Sequence, residues 1–349
     1  MSLPLSLPID PMLATSVNAI PTGGGFVHEP KWDGFRCIIS RDGDEIVLGS
    51  RGKKALTVYF PEVVEALSGW LPDGAILDAE LVVRAGEPGA ERLDWDSLGQ
   101  RIHPAISRIT MLAEMTPAEV ICFDVLAADG LDLTAEPWEV RRARLEQFFA
   151  DADPHPAIHL SRYTDDAQTA TEWFTQFEGA GLDGVVSKAR DGVYTPGKRG
   201  WQKIKHKRTA EAVVIGYRVH KRGHGVGSLL LGLYDDQGNL IPVGGIGALS
   251  DEMRDALVAE LDPLVIKDAD GNPVLLDKPR SRFSKSTDPV SIALEPELVA
   301  EVAFDQLEGH RFRHAVTLVR FRPDRDARSC LLEQVDRAPS YDLARVLAQ

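Results

Sequence analysis

Several things are scarce in this chain, and each scarcity excludes something. Of 349 residues only three are cysteine, Cys37, Cys122 and Cys330. They lie far apart in apolar, strand-like runs, with no paired spacing that would hold zinc or frame a set of disulfides. They read as small core residues in a reducing compartment. No apolar run approaches 18 residues, and the proline-rich opening from Met1 to Leu13 carries no basic residue. That excludes a membrane span and a signal peptide, and makes the cytoplasm the expected location. Positive charge is short too: 39 Lys and Arg stand against 53 Asp and Glu, a net −14, which argues against a protein coated in nucleic acid. Internal repeats and low-complexity tails are missing. What remains, 44% hydrophobic and 26% charged, is an ordinary globular composition long enough for two or three domains and a sizeable core.

The scarce positive charge is concentrated. Lys198-Arg-Gly-Trp-Gln-Lys203-Ile-Lys205-His-Lys207-Arg208 holds six basic residues and no acidic one, a strip suited to local phosphate contact on an otherwise acidic body. Near the other end, Glu29-Pro-Lys31-Trp-Asp33-Gly34-Phe-Arg36 places a lysine two residues ahead of an Asp-Gly turn. A lysine amine attacks only when deprotonated, so it needs a partly desolvated pocket or neighbouring cations to lower its pKa from about 10.4. Lys203 and Lys205, two apart on one strand and so facing the same way, could supply that field.

Residues 1–25 are a mostly irregular lead-in, with Pro11 to Ala14 attached to the body. Phe26 to Ser40 is strand, turn and strand; Ile46 to Gly52 is a short strand that ends on Arg51 and a Gly turn. A helix starts at Pro61 and stops at Gly69. Ala75-Ile-Leu-Asp78-Ala-Glu80-Leu-Val-Val is an apolar strand with two acids on one face, which a central strand avoids unless something binds them. Val120 to Leu126 is a buried strand before an Asp129-Gly130 turn. Helices cover 137–149, with Trp138, Leu145, Phe148 and Phe149 inward, and 166–178, with Ala167, Ala170, Phe174 and Phe177 inward; a strand follows from Leu182 to Lys188. From about 210 the texture changes to short strands with Gly-rich turns: 211–219, 228–234, 240–247, 297–306 and 313–321. One helix, capped by Ser250, runs to Leu261. Five strands and one helix fit a small closed barrel of the OB kind.

Taken in order, Lys31-x-Asp33-Gly34, Ser50-Arg51-x-Lys, Asp78-x-Glu80, Phe123, Asp183-Gly184, Trp201-x-Lys203-x-Lys205 and Arg322-x-Asp324-Arg325 resemble the covalent nucleotidyltransferase superfamily. The resemblance is closest to the ATP-dependent DNA ligases of the minimal two-domain bacterial type, ligase C, and it runs over nearly the whole chain. It implies an α+β fold, with a nucleotidyltransferase (ATP-grasp-like adenylation) domain of antiparallel sheets and helices at 1–208 and an OB-fold β-barrel at 209–349. It implies that Lys31 takes AMP from ATP, that Glu29 reads the adenine and Phe123 stacks on it, and that Arg36, Arg51 and Glu80 hold the ribose and adjoining phosphates. Glu80 and Asp183 would place Mg²⁺, with Mn²⁺ as a substitute. Lys203 and Lys205 would contact the α-phosphate, and Arg322 and Arg325 would orient the departing pyrophosphate as the barrel swings about a hinge at 207–210. Asp78 is left a structural role. Two positions depart from the family pattern: Asp183 stands where a glutamate is usual, and Arg325 where many relatives have lysine.

The activity so implied is the sealing of 5′-phosphate/3′-hydroxyl nicks in duplex DNA, through a lysyl-AMP and a DNA-adenylate, in repair. The partners implied are nicked double-stranded DNA, ATP and a repair polymerase, for a monomer with no membrane attachment. Lys53, Lys54, Lys221 and Arg222 are candidates for DNA phosphate contact. Two other readings stand beside it. One is an RNA ligase or an mRNA-capping guanylyltransferase; the other is an OB-type nucleic-acid binder without catalysis. The tryptophan after Lys31 and the closing Arg-x-Asp-Arg favour the ligase, and every expected charged position is filled.

Overall fold

The computed structural model describes residues 3–206, 208–276, 290–305, 307–335 and 340–348, and divides into two units, residues 1–205 with 337–349, and residues 206–336. In chain order the first unit holds β1 (Leu13–Ser16), β2 (Phe26–Pro30), β3 (Phe35–Asp42), β4 (Glu45–Ser50), α1 (Pro61–Trp70), β5 (Ile76–Ala85), β6 (Arg92–Leu93), α2 (Trp95–Gln100) and α3 (Ile106–Met115). Then come β7 (Ala118–Ala128), β8 (Leu131–Asp132), α4 (Trp138–Asp151), β9 (Ile158–Leu160), α5 (Ala167–Gln176), β10 (Gly184–Ala189) and β11 (Arg199–Lys205).

These strands make two sheets. The larger has the order β4-β3-β5-β7-β8, with β6 on β5 and β9 parallel to β7; the smaller has the order β1-β11-β10-β2. Alternation along β5 explains the layering. Leu77, Ala79, Leu81 and Val83 face a core closed by Leu67 of α1, Leu98 of α2 and Leu145 and Phe148 of α4. Ile76 faces the other way, into an apolar layer with Phe123 of β7 and Trp201 of β11, so this layer joins the two sheets. Asp78 and Glu80 share that inward face on a central strand, which a pattern of two acids alone marks as a place where something must bind them.

Most expected elements are present, with instructive shifts. The first helix runs through Gly69 to Trp70, because Trp70 is buried with Val63 and Leu67 at helical spacing. The helix expected at 166–178 is α5, N-capped by Asp166, followed by a 3₁₀ turn Phe177–Ala180 that closes on Gly181 at φ 88°. Residues 84–117 carry no pattern that marks an element in the sequence, yet contain α2 and α3. In α3 only Ile109 and Leu112 are buried while Ile106 and Met115 are exposed, so no continuous apolar stripe marks it.

The second unit holds β12 (Arg208–Val219), β13 (Val226–Tyr234), β14 (Leu240–Ile246), α6 (Asp251–Leu261), β15 (Ser291–Ala293), β16 (Val299–Phe304), β17 (Leu307–Glu308), β18 (Arg311–Phe312) and β19 (Thr317–Phe321). The order β14-β13-β12-β16-β19 makes a curled antiparallel sheet around one core, with Leu229, Leu231 and Leu233 inward. Its edge strands meet, among the described residues, at a single bridge, Ile246 to Val316, so the expected barrel is only half closed. Of the expected hinge, Lys207 lies outside the described residues and Arg208 to Ala210 open β12.

The last helix corrects the expected extent of the second domain. α7 (Leu343–Leu347) belongs with the first unit, where Leu343 and Val346 are buried in a cluster with Trp32, Phe177 and Leu182. Two apolar side chains three positions apart share a helix face and need cover, and that cluster provides it. Among the described residues no helix is long and apolar enough to cross a membrane.

Candidate active site

Between the two sheets of the first unit lies a cavity of about 300 Å³. Its lining includes Glu29, Lys31, Arg36, Arg51, Glu80, Phe123, Lys203 and Lys205, eight of the residues singled out from the sequence. Lys31 sits just past β2 and is fixed by its own main chain. Its N–H donates to the Gly184 carbonyl at 2.9 Å, and its carbonyl accepts from the Asp183 N–H at 3.0 Å. This reciprocal pair sets the lysine beside the acid, and Lys31 Nζ lies 2.7 Å from Asp183 Oδ2. The same oxygen is 2.7 Å from Lys205 Nζ.

Two glycines make the approach possible. A Cβ on Gly34 would sit 2.1 Å from the Leu81 carbonyl oxygen, and the Gly34 N–H donates to Glu80 Oε1 at 3.1 Å. Gly184 has φ 131°, and a Cβ there would lie 2.0 Å from the Ile204 carbonyl oxygen. The short string Lys-x-Asp-Gly is therefore a packing requirement: β5 passes directly over the turn.

The charges in the cavity shape one another. For Asp183 burial pushes the carboxyl pKa up, but Lys31 and Lys205 together outweigh it and hold it below the usual value. Lys203 is lowered by burial first and then by Lys205 and Lys31, with Arg51 adding to it. Burial raises Glu80 to about 7, against the pull of Arg36 and Lys31. Glu80 and Asp183, which both interact with Lys31, are carboxylates placed to offer oxygen donors to a cation; among the described residues no group of three or more His, Cys, Asp or Glu could form a cage.

Arg36 is less free than its expected contact with ribose or phosphate requires. Its Nε and Nη2 take both oxygens of Asp78, which is fully buried. Asp78 also accepts from the Tyr194 hydroxyl at 2.5 Å, and that hydroxyl accepts from the Met12 N–H at 2.9 Å. The structural role left to Asp78 thus has a concrete form: it is the buried counter-charge that aims Arg36. The guanidinium lies 4.7 Å from the centre of the Phe123 ring and 5.0 Å from that of Trp201, and the two rings meet edge to face.

Three contributors escaped the sequence reading. Residues Pro11 to Ala14 line the cavity, because β1 pairs in parallel with β11. Tyr194 anchors Asp78. Lys188, only 2% exposed, lies 2.8 Å from Glu29 Oε1. The alternation of β10 could have found it, since Val186 and Lys188 are two apart and both line the cavity.

Arg322 and Arg325 belong to the second unit. There both converge on Glu211, Arg325 Nε at 2.6 Å from Oε2 and Arg322 Nη1 on Oε1, while Arg322 also grips Asp324 at 2.8 and 2.9 Å.

Comparison with known proteins fits this geometry. The family model described as "ATP dependent DNA ligase domain" matches residues 11–207, and that for "ATP dependent DNA ligase C terminal region" matches residues 222–325. The chain is 48% identical to DNA ligase C1 of Mycolicibacterium smegmatis over 100% of both chains, and 46% identical to DNA ligase C of Mycobacterium tuberculosis over 99% of each. A solved structure from a study of Lig E DNA ligases shares the fold, with a TM-score of 0.56 at 16% identity over 89% of this chain and 99% of that one. A family model covering more than half of the chain, joined to full-length relatives at this identity, places the chain in the ATP-dependent DNA ligase family.

Proposed function

We propose that this chain seals nicks in duplex DNA that carry a 5′-phosphate and a 3′-hydroxyl, using ATP. The observation that carries the reading is one amine, Lys31 Nζ, set by its own main chain beside Asp183 in a cavity that also holds Lys203, Lys205 and Arg51. The amine attacks the α-phosphorus; the N–P bond forms as the bond to the bridging oxygen breaks, and pyrophosphate leaves with that electron pair. The ammonium must first lose a proton, a loss that the charges of the neighbouring Lys203 and Lys205 favour. Lys203, Lys205 and Arg51 are the cations for charge that builds on the phosphoryl oxygens, and Arg36, aimed by Asp78, would meet the nucleotide beside them. AMP then passes from Lys31 to the 5′-phosphate of the nick, and the 3′-hydroxyl displaces it.

Glu29 and Phe123 are assigned to the adenine. Glu29 Oε1 is buried without a well-directed hydrogen bond among the described residues, the Lys188 ammonium being its close neighbour, which suits an acceptor for an exocyclic amine. Mg²⁺, with Mn²⁺ as a substitute, fits Glu80 and Asp183: two hard oxygen donors are what a protein offers an ion that keeps water and phosphate oxygens for its other positions. Bound there, the ion would neutralise phosphoryl charge. Arg322 and Arg325 are assigned to the leaving pyrophosphate.

We extend the reading to a monomer acting in DNA repair in the cytoplasm, with a repair polymerase as a partner, which sedimentation and co-purification check. The test of the main reading is intact mass after incubation with ATP. A gain of one AMP that disappears on adding nicked duplex DNA supports it. Labelling by GTP alone would turn the assignment to a capping-type guanylyltransferase, and discharge onto nicked RNA but not DNA would turn it to an RNA ligase.

A further inference from the structure

Two cations of the cavity, Lys188 and Arg199, are not used by the chemistry above, and of the two Lys188 is the buried one. Lys188 is 2% exposed, and a buried lysine is uncommon unless something demands its charge. Its Nζ donates to the Phe123 carbonyl at 3.0 Å and lies 4.5 Å from the ring centre of Trp201 and 5.0 Å from that of Phe123. Among the described residues its ion-pair partner is Glu29, 2.8 Å away. The ammonium is therefore held from three sides, by a carbonyl and two aromatic rings, and offers its charge to the fourth.

We infer that Lys188 is a specificity-determining positioning residue, whose ammonium holds the buried Glu29 carboxylate as a hydrogen-bond acceptor, so that the cavity selects a base that donates an exocyclic amine. The inference rests on the adenine reading of Glu29 given above and deepens it.

A carboxylate taken out of water favours its protonated form unless a charge answers it. Glu29 is buried, and burial leaves its pKa above the usual carboxylate value even though Lys188 and then Arg142 pull it down, with Asp124 adding to the rise. Those two other charges have partners of their own, Asp124 in Arg141 and Arg142 in Glu146 and the Ser161 carbonyl. Lys188 is thus the group that answers Glu29 directly. With the ammonium removed, the carboxyl is favoured in its protonated form and can donate. A donor at that position suits an oxo group on the base, as guanine carries, and opposes the amine of adenine. The main-chain anchor on Phe123 adds direction, since it fixes the ammonium relative to the ring assigned to the same base.

The test uses the full-length protein, labelled ATP and GTP, and a double-mutant cycle. Lys188→Met is expected to raise KM for ATP in self-labelling by about 10- to 100-fold, the worth of a hydrogen bond to a charged group. The labelling rate at saturating ATP should change far less, and the preference for ATP over GTP should fall by the same factor as KM rises. The Glu29→Gln side chain offers an amide oxygen that needs no cation, so in that background the Lys188→Met change should alter labelling by no more than about twofold.

A merely structural lysine would lower the saturating rate and would do so equally in both backgrounds, which overturns the inference. An unchanged ATP preference in Lys188→Met overturns it as well. If Lys188→Met does not fold, the comparison of Glu29→Gln with Glu29→Gln/Lys188→Met, the second of which carries neither buried charge, decides alone by the same criterion. Wild-type protein that takes no label from ATP would defeat the underlying reading, and this inference with it; wild-type labelling with an additive cycle would defeat only the inference.

Discussion

Gly184→Ala is the perturbation that bears most directly on how the lysine is held. At φ 131° an alanine occupies a backbone region that is nearly reserved for glycine, and its Cβ would sit 2.0 Å from the Ile204 carbonyl oxygen. Strain of this kind costs of order 1–3 kcal/mol, and the overlap a further 1–3, so the first unit should lose about 2–6 kcal/mol. Its melting temperature should fall on the order of 10 °C. The functional loss follows from the main chain. The Gly184 carbonyl accepts the Lys31 N–H, so separating β10 from β11 drags Lys31 with it. Displacement of a reacting group by about 1 Å costs roughly a hundredfold in rate. Calorimetry and the initial rate of self-labelling with ATP, taken below the variant's transition, measure the two effects separately. A Gly184→Ala protein with unchanged melting and unchanged labelling would refute the claim that this glycine sets the position of Lys31.

Other expectations follow from the same geometry. Lys31→Ala should abolish covalent labelling while its thermal transition shifts by only a few degrees, since the buried Asp183 keeps Lys205 at 2.7 Å as its partner; label retained on this variant would mean another nucleophile. Asp78→Ala orphans Arg36 and the Tyr194 hydroxyl together and should cost about 3 kcal/mol in urea unfolding, the low end for breaking a buried pair, because Arg36 is 21% exposed. A loss under about 1 kcal/mol would show that Arg36 finds water instead. Glu119 is pushed up by burial, but hydrogen bonds from His159 and Arg84 outweigh it and leave its pKa below 4.5 in the folded state. Its stabilising share is therefore complete above about pH 4.5 and is lost as pH falls through the folded value. Wild type and Glu119→Gln should then converge in stability between about pH 5 and 3, and parallel curves would contradict the assignment.

What could be read from the sequence, and what could not, divides by range of interaction. Lys31, Gly34, Glu80, Asp183, Lys203 and Lys205 stand in short strings whose spacing obeys strand alternation, and alternation states which side chains share a face. That face pairs with another only through register. Nothing local says that Arg36 turns toward Asp78, because the encounter depends on β3 and β5 pairing Arg36 with Glu80 and Ile38 with Asp78. Nor could composition separate Lys188 from a solvated lysine at a strand end; its burial comes from Phe123 and Trp201, 65 residues before it on β7 and close by on β11. The strands of the second unit were visible as five apolar runs between glycine turns, but the half closure was not, since the single edge bridge among the described residues leaves no pattern.

The return of α7 to the first unit has a consequence for how this protein comes into being. Leu343 and Val346 cap a cluster that includes Trp32, the neighbour of Lys31. The polypeptide between positions 206 and 336 is thus an insertion within a fold whose pieces leave the ribosome both before and after it. A nascent chain halted at residue 205 would carry Lys31, Glu80, Asp183 and Lys203 but keep an uncovered greasy patch over Phe177 and Leu182, and would wait for residues 343–347 before that patch could be sealed.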